Sequence, residues 1–128
     1  MQIDDARPIW IQLVDDFRQR IVSGRWPSGS RIPSVRELAA EAGVNPNTVQ
    51  RALGELDRSG LTAAERTAGR FVTADPSALE AARRELAGRA ADTYITAVAA
   101  LGMDLTQAGS VLAERWTTAT NHPQGEAS

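Results

Sequence analysis

The amino-acid sequence predicts a mainly α fold with one small β hairpin: three short helices, then the hairpin, then two longer helices. Three observations lead to this reading. Apolar residues recur in steps of three and four, Gly24, Gly43, Gly60 and Gly102 punctuate them, and side chains able to cap free amides stand just ahead of the apolar runs.

Pro8 offers a helix start, and Trp10, Leu13, Val14, Phe17 and Ile21 form one apolar face that ends before Gly24. Trp26-Pro27-Ser28-Gly29-Ser30 is turn-rich, and Arg31-Ile32 forms a short extended piece before Pro33. Ser34 and Glu37 have capping-box spacing, which starts a second helix that runs through Ala42 and stops at Gly43. Asn45 then caps a third helix with Pro46 at its first position, where a missing N–H costs nothing. Val49, Ala52, Leu53 and Leu56 mark its buried face and Gly60 stops it. Residues 61–64 and 70–73 are strand candidates around a turn at 65–69. Two short helices joined by a glycine turn and followed by a hairpin make a winged helix-turn-helix.

Asp75-Pro76-Ser77 reads as the boundary, with Ser77 as cap of a long helix whose stripe is Leu79, Ala82, Leu86, Ala90, Tyr94, Val98 and Leu101. Asp104 caps a last helix carrying Leu105, Ala108, Val111, Leu112 and Trp116, and residues from Asn121 to Ser128 read as a disordered tail. Two helices cannot hide such stripes from water alone, so they need a second copy or the other domain. The expected division is a winged domain at 8–74, a two-helix dimerisation segment at 77–120 and a tail at 121–128.

Composition narrows the function classes. The chain has 128 residues, no cysteine and a single histidine, His122, in the polar tail, so no thiolate metal site or disulfide framework is open to it. No nucleophile–base arrangement or phosphate-cradling glycine loop is present, so neither enzymatic activity nor a cofactor is expected. An apolar run of membrane-spanning length and a secretory start are both missing, which points to the cytoplasm. All 14 basic residues are arginine, a usage consistent with a GC-rich genome and also suited to forked contacts with phosphate and guanine. Net charge is −2, which argues against holding DNA by a general basic field. The arginines are nevertheless concentrated before residue 75, where 10 face 9 acids, against 4 facing 7 afterwards.

The third helix carries the chemistry. A recognition helix lays its first turns in the major groove, where Asn and Gln suit adenine and Arg suits guanine. Asn47, Gln50 and Arg51 offer these groups on its polar face, and its first free amides can receive a phosphate. The bland alternative is a cap followed by a solvated face. Arg36 stands in the first turn of the second helix, where positive charge opposes the helix dipole. A DNA phosphate or base would compensate it, and so would a pair with Glu37 or Glu41. Arg66 and Arg70 flank the hairpin tip, within reach of phosphates or the minor groove, or simply in a solvated turn. Gly54 inside the third helix permits close backbone approach or is merely tolerated at the surface. Trp10, Phe17 and Trp26 read as core.

These residues resemble the GntR family of bacterial transcription regulators. The matching stretches are Pro8-Ile9-Trp10-x-Gln12, Gly24-x-Trp26-x-x-Gly29-x-x-Ile32-Pro33-Ser34-x-Arg36-Glu37-Leu38-Ala39, Gly43-Val44-Asn45-Pro46-Asn47-Thr48-Val49-x-Arg51-Ala52, Glu55-Leu56, Gly60-Leu61 and Gly69-x-Phe71-Val72. They cover residues 8–74, and Asn45 to Val49 with a short two-helix tail looks most like the YtrA subfamily.

The resemblance implies a homodimeric repressor on a palindromic operator in double-stranded DNA, with Arg36, Asn47, Thr48 and Gln50 at the DNA and the C-terminal helices joining the protomers. It also makes the chain's own operon, with transporter genes, the default target. The family's wing runs Arg-Gly-x-Gly-Thr-Phe-Val. Here Thr67 replaces its first glycine and Arg70 its threonine, which puts a wing contact at Thr67 in doubt and offers Arg70 as a new phosphate contact. The expected DNA-facing set is Arg36, Asn45, Asn47, Thr48, Gln50, Arg51, Arg66, Gly69 and Arg70. The expected dimer face is Leu86, Tyr94, Val98, Leu101, Leu112 and Trp116. The roughly 50 residues after the wing are too few to enclose an ordinary pocket, so an inducer of unknown identity would bind between protomers or at the domain junction. The competing class is a winged protein-interaction module that has lost specific DNA binding.

Overall fold

The computed structural model describes residues 3–121. Helix α1 spans Ile9–Val22, α2 Val35–Ala42, α3 Pro46–Arg58, α4 Pro76–Ala99 and α5 Leu105–Asn121, with strands β1 Thr62–Glu65 and β2 Gly69–Val72 between α3 and α4. The mainly α fold with a small wing is the one the sequence predicts. Asn121, expected in the tail, ends α5 instead, and the rest of that tail lies outside the described residues.

One compact unit runs to Leu86. Its core comprises Leu13, Val14, Phe17 and Ile21 of α1, Leu38 and Ala39 of α2, and Val49, Ala52, Leu53 and Leu56 of α3, closed by Trp26, Ile32, Leu61 and Val72. Full burial of each large apolar side chain contributes about 1.5–3 kcal/mol. Phe17 and Trp26 pack with ring centroids 5.3 Å apart. Trp10, expected in this core, is only partly buried at its edge.

Two buried polar side chains organise α1. The Gln12 side-chain amide donates to the carbonyls of Asp4 and Arg7 at 2.7 and 2.8 Å, and its oxygen accepts from the Asp4 N–H at 2.9 Å, folding the preceding segment back onto the helix. Arg20, 7% exposed, lies 2.8 Å from Asp16 and 3.1 Å from Glu41 of α2, with its guanidinium 5.3 and 5.7 Å from the Trp26 and Phe17 ring centroids. A charge this buried persists because two carboxylates and two ring faces compensate the lost hydration.

Strands β1 and β2 pair antiparallel from Thr62↔Val72 to Glu65↔Gly69. Both are offset by one residue from the sequence expectation, because Leu61 is committed to closing α3. Its N–H donates to the Leu56 carbonyl, and its own carbonyl accepts from Thr73, at 3.0 and 2.8 Å. The turn correspondingly tightens to residues 66–68, with Gly69 at φ +104°. Arg31-Ile32 is extended as expected: Arg31 bridges Phe71, and the Ile32 N–H donates to the Arg70 carbonyl at 2.9 Å.

Helix α4 is capped by Asp75 rather than Ser77. The Asp75 carboxylate accepts from the Ser77 N–H and hydroxyl at 2.9 and 2.8 Å, leaving Pro76 at the first helical position, where it needs no partner. These bonds, that from the Ser77 hydroxyl first, hold the Asp75 carboxyl below its ordinary range. The first turns of α4 bury Ala82 and part of Leu79 in the core, so the compact unit ends within α4 instead of at residues 75–77.

The second unit starts at Ala87 and contains the rest of α4 and α5. Asp104 and Gln107 exchange backbone–side-chain hydrogen bonds at 2.9 and 3.0 Å, a reciprocal cap on α5. The Tyr94 hydroxyl donates to the Ala108 carbonyl at 2.8 Å, and Val98 and Ala108 are buried.

Gly54 has open space where a Cβ would stand and carries no positive φ, so close approach of another part of the chain does not explain it. Gly54→Ala is expected to raise stability by up to about 1 kcal/mol by removing backbone freedom from the unfolded chain, read as a higher thermal midpoint.

Candidate nucleic-acid interface

Four buried side chains fix the rotation of α3 about its axis. Val49, Ala52, Leu53 and Leu56 have no exposed surface, so at about 100° per residue the opposite ridge is Asn47, Arg51, Gly54 and Arg58. Gln50 and Asp57 fall on one flank of that ridge and Thr48 and Glu55 on the other. Asn47, Gln50 and Arg51 are exposed and Thr48 is half-buried.

The start of α3 is built locally. Gly43 takes a left-handed conformation, its N–H donating to the Ala39 carbonyl at 2.9 Å, and the chain turns in two residues to Asn45. The Asn45 side-chain oxygen accepts from the Asn47 N–H at 2.7 Å. Asn45 is therefore engaged as a cap, whereas the side chains of Asn47 and Gln50 make no hydrogen bond among the described residues.

Helix α2 presents its N-terminus with both capping-box bonds formed. The Glu37 N–H donates to the Ser34 hydroxyl at 3.1 Å, and the Ser34 N–H donates to the Glu37 carboxylate at 2.8 Å. The Ser34 N–H, and after it the Ser34 hydroxyl, keep the Glu37 carboxyl below its ordinary range. Glu41 is engaged by Arg20. Both carboxylates suggested as partners for Arg36 are thus committed elsewhere, and Arg36 is exposed with no ion pair among the described residues.

The wing differs from expectation at Arg70. Its Nε and Nη2 grip the Asp57 carboxylate at 3.0 to 3.3 Å, and the Thr62 hydroxyl donates to the same carboxylate at 2.5 Å. Arg70, 17% exposed, therefore ties the wing to the end of α3 rather than offering a free fork to a phosphate. Arg66 and Thr67 remain exposed at the tip. Gly69 serves the interior of the wing as well: a Cβ there would stand 2.6 Å from Arg31 Nε. Arg31, which sequence reasoning missed, lies across the wing and lines with Ser34, Gln50, Arg66 and Thr67 a cleft of about 320 Å³ between wing, α2 and α3.

Arg51 leans toward α1, its guanidinium 4.1 Å from the Trp10 ring centroid. A helical wheel could have put Asp57 on the Gln50 flank facing the wing. Nothing local to positions 10 and 51 signals their stacking.

This arrangement can meet a polyanion whose surface carries both hydrogen-bonding edges and phosphates. Amide side chains project from the first turns of α3, guanidinium groups flank them, and the α2 N-terminus faces the same cleft. The match to known proteins agrees. Residues 11–72 fit the family model for bacterial regulatory proteins of the gntR family. A GntR family transcriptional regulator from Listeria monocytogenes superposes with a TM-score of 0.80 at 30% identity, over 88% of this chain and 98% of that one.

The chain belongs to the GntR family. It is a helix-turn-helix transcriptional regulator, in a family of DNA-binding proteins rather than enzymes. The resemblance to YtrA holds as well: this GntR regulator is 36% identical to the transcriptional repressor YtrA of Bacillus subtilis over 75 residues, 57% of this chain and 58% of that one. The AraR DNA-binding domain, crystallised with its operator ORR3, superposes with a TM-score of 0.52 at 26% identity, over 57% of this chain and 88% of that one. Among the described residues, no helix of the regulator is long and apolar enough to cross a membrane.

The Arg70–Asp57 tie yields a stability prediction. Arg70→Ala and Asp57→Ala should each cost about 1–2 kcal/mol in chemical denaturation, and the double variant little more than either alone, because both remove the same forked ion pair. Additive losses would show that the pair is not coupled.

Proposed function

We propose that this regulator is a homodimeric repressor that binds a palindromic operator in double-stranded DNA upstream of its own operon, with transporter genes as the default target. The observation that carries the reading is the row of amide and guanidinium groups on α3 and α2: Asn47 and Gln50, whose side chains have no hydrogen-bond partner among the described residues, and Arg36, with both nearby carboxylates engaged elsewhere. Thr48 and Arg66 extend this face, and Gly69 keeps the wing closed on Arg31. The repressor reading draws on YtrA and the operator reading on the AraR domain.

The second unit supports the dimer reading. Leu101, Leu112 and Trp116 are 76%, 50% and 65% exposed, which a lone chain would leave in water. Tyr94 hydrogen-bonds Ala108 of α5, and Val98, expected with it at the same face, is buried within the chain, so the proposed dimer surface contracts to the exposed three with Ile95 and Leu105. Leu86 is half-buried at the end of the first unit and contributes less. Two linked reading heads compensate for a net charge of −2, because the second head binds at high effective concentration. A small-molecule inducer would bind between protomers, and the working location is the cytoplasm.

Footprinting on the upstream region at low salt should protect an inverted repeat. Arg36→Ala and Asn47→Ala should each weaken binding to that repeat by about 1–3 kcal/mol while leaving the thermal midpoint nearly unchanged. Unaltered binding by both variants would sink the assignment, and equal affinity for random duplex would favour the protein-interaction module. Leu101→Asp or Trp116→Asp should yield monomers in sedimentation velocity, whereas an unchanged sedimentation coefficient would rule out the dimer face.

A further inference from the structure

We propose that Trp10 is a positioning residue for DNA recognition: its indole holds the Arg51 guanidinium flat, so that the free edge of the arginine meets the duplex in one orientation. The proposal rests on the reading of α3 as the DNA-facing helix. Arg51 stands 4.1 Å from the Trp10 ring centroid, closer than either ring contact of Arg20, at 5.3 and 5.7 Å.

Arg51 has no ion pair among the described residues. Its natural partner four residues on, Glu55, is taken by Arg58. An exposed arginine without a carboxylate samples many rotamers, and a ring face removes that freedom without consuming hydrogen-bond capacity. The guanidinium donors lie in the plane of the group, so stacking leaves the fork free for a guanine edge or a phosphate. Trp10 is suited to the task because it is only partly buried, on the turn of α1 that faces α3. A purely packing role would be met by any large apolar side chain at this position.

The test measures fluorescence-anisotropy titrations of the footprinted repeat and of a random duplex, with thermal denaturation confirming that every variant folds. Trp10→Leu should weaken binding to the repeat about two- to fivefold, Trp10→Phe should keep most of it, and Trp10→Leu should cost nothing further in an Arg51→Ala background. Arg51→Lys, which keeps the charge but loses the planar fork, should behave like Trp10→Leu. Single-base substitutions in the repeat separate the two targets of the fork: a loss confined to one base pair marks a guanine contact, and a uniform loss a phosphate, either supporting the proposal. An equal cost of Trp10→Leu with and without Arg51, or full affinity in both Trp10→Leu and Arg51→Lys, overturns it. A wild-type protein that binds no duplex overturns both this proposal and the reading beneath it.

Discussion

The rotation of α3 is the constraint on which the rest of the molecule depends. Because Val49, Ala52, Leu53 and Leu56 are wholly enclosed by α1, α2 and the wing, turning the helix by one residue would drive a polar side chain into the core and pull a leucine out of it. That penalty decides which groups face outward. The Asn45 cap and the Gly43 turn then set where the helix begins, so its free end is fixed in direction as well as in rotation.

Around this helix the remaining polar contacts divide into those that brace and those left open. On one flank, Asp57 is held by Arg70 and Thr62, tying the wing to the end of α3. From the outward ridge, Arg51 leans against Trp10 of α1. Further off, Arg20 joins α1 to α2 through Glu41. The side chains of Asn47, Gln50 and Arg36 beside these braces make no hydrogen bond or ion pair among the described residues. A structure that pairs its buried Arg20 with carboxylates and leaves a row of exposed donors on one side is prepared to exchange water for another polar surface.

Much of this was legible in the sequence because it is written locally. The helices, the Ser34–Glu37 capping box, the Asp104 cap and the Asn45-Pro46 start each depend on residues within four positions of one another, and all appear where the spacing puts them. The errors are of two kinds. Asp75 rather than Ser77 caps α4 because Pro76 between them takes the first helical position, and the strands lie one residue from the local pattern because Leu61 serves α3 first. At the candidate site, the exposure of Asn47 and Gln50 is legible from the polar face of α3, and that of Arg36 from its place in the first turn of α2. The tie of Arg70 to Asp57, the course of Arg31 over Gly69 and the stack of Arg51 on Trp10 join residues 13 to 41 positions apart, which no local pattern connects.

That the Asn47 and Gln50 side chains make no hydrogen bond among the described residues bears on how such a protein changes over time. Substitutions there remove no cap, no ion pair and no buried surface, so they leave folding almost untouched while altering the donors and acceptors on display. On the proposed reading of α3, binding preference and foldability fall on separate sets of residues. Duplicated copies of the gene can diverge toward new target sequences by single replacements, each passing through a fully folded intermediate.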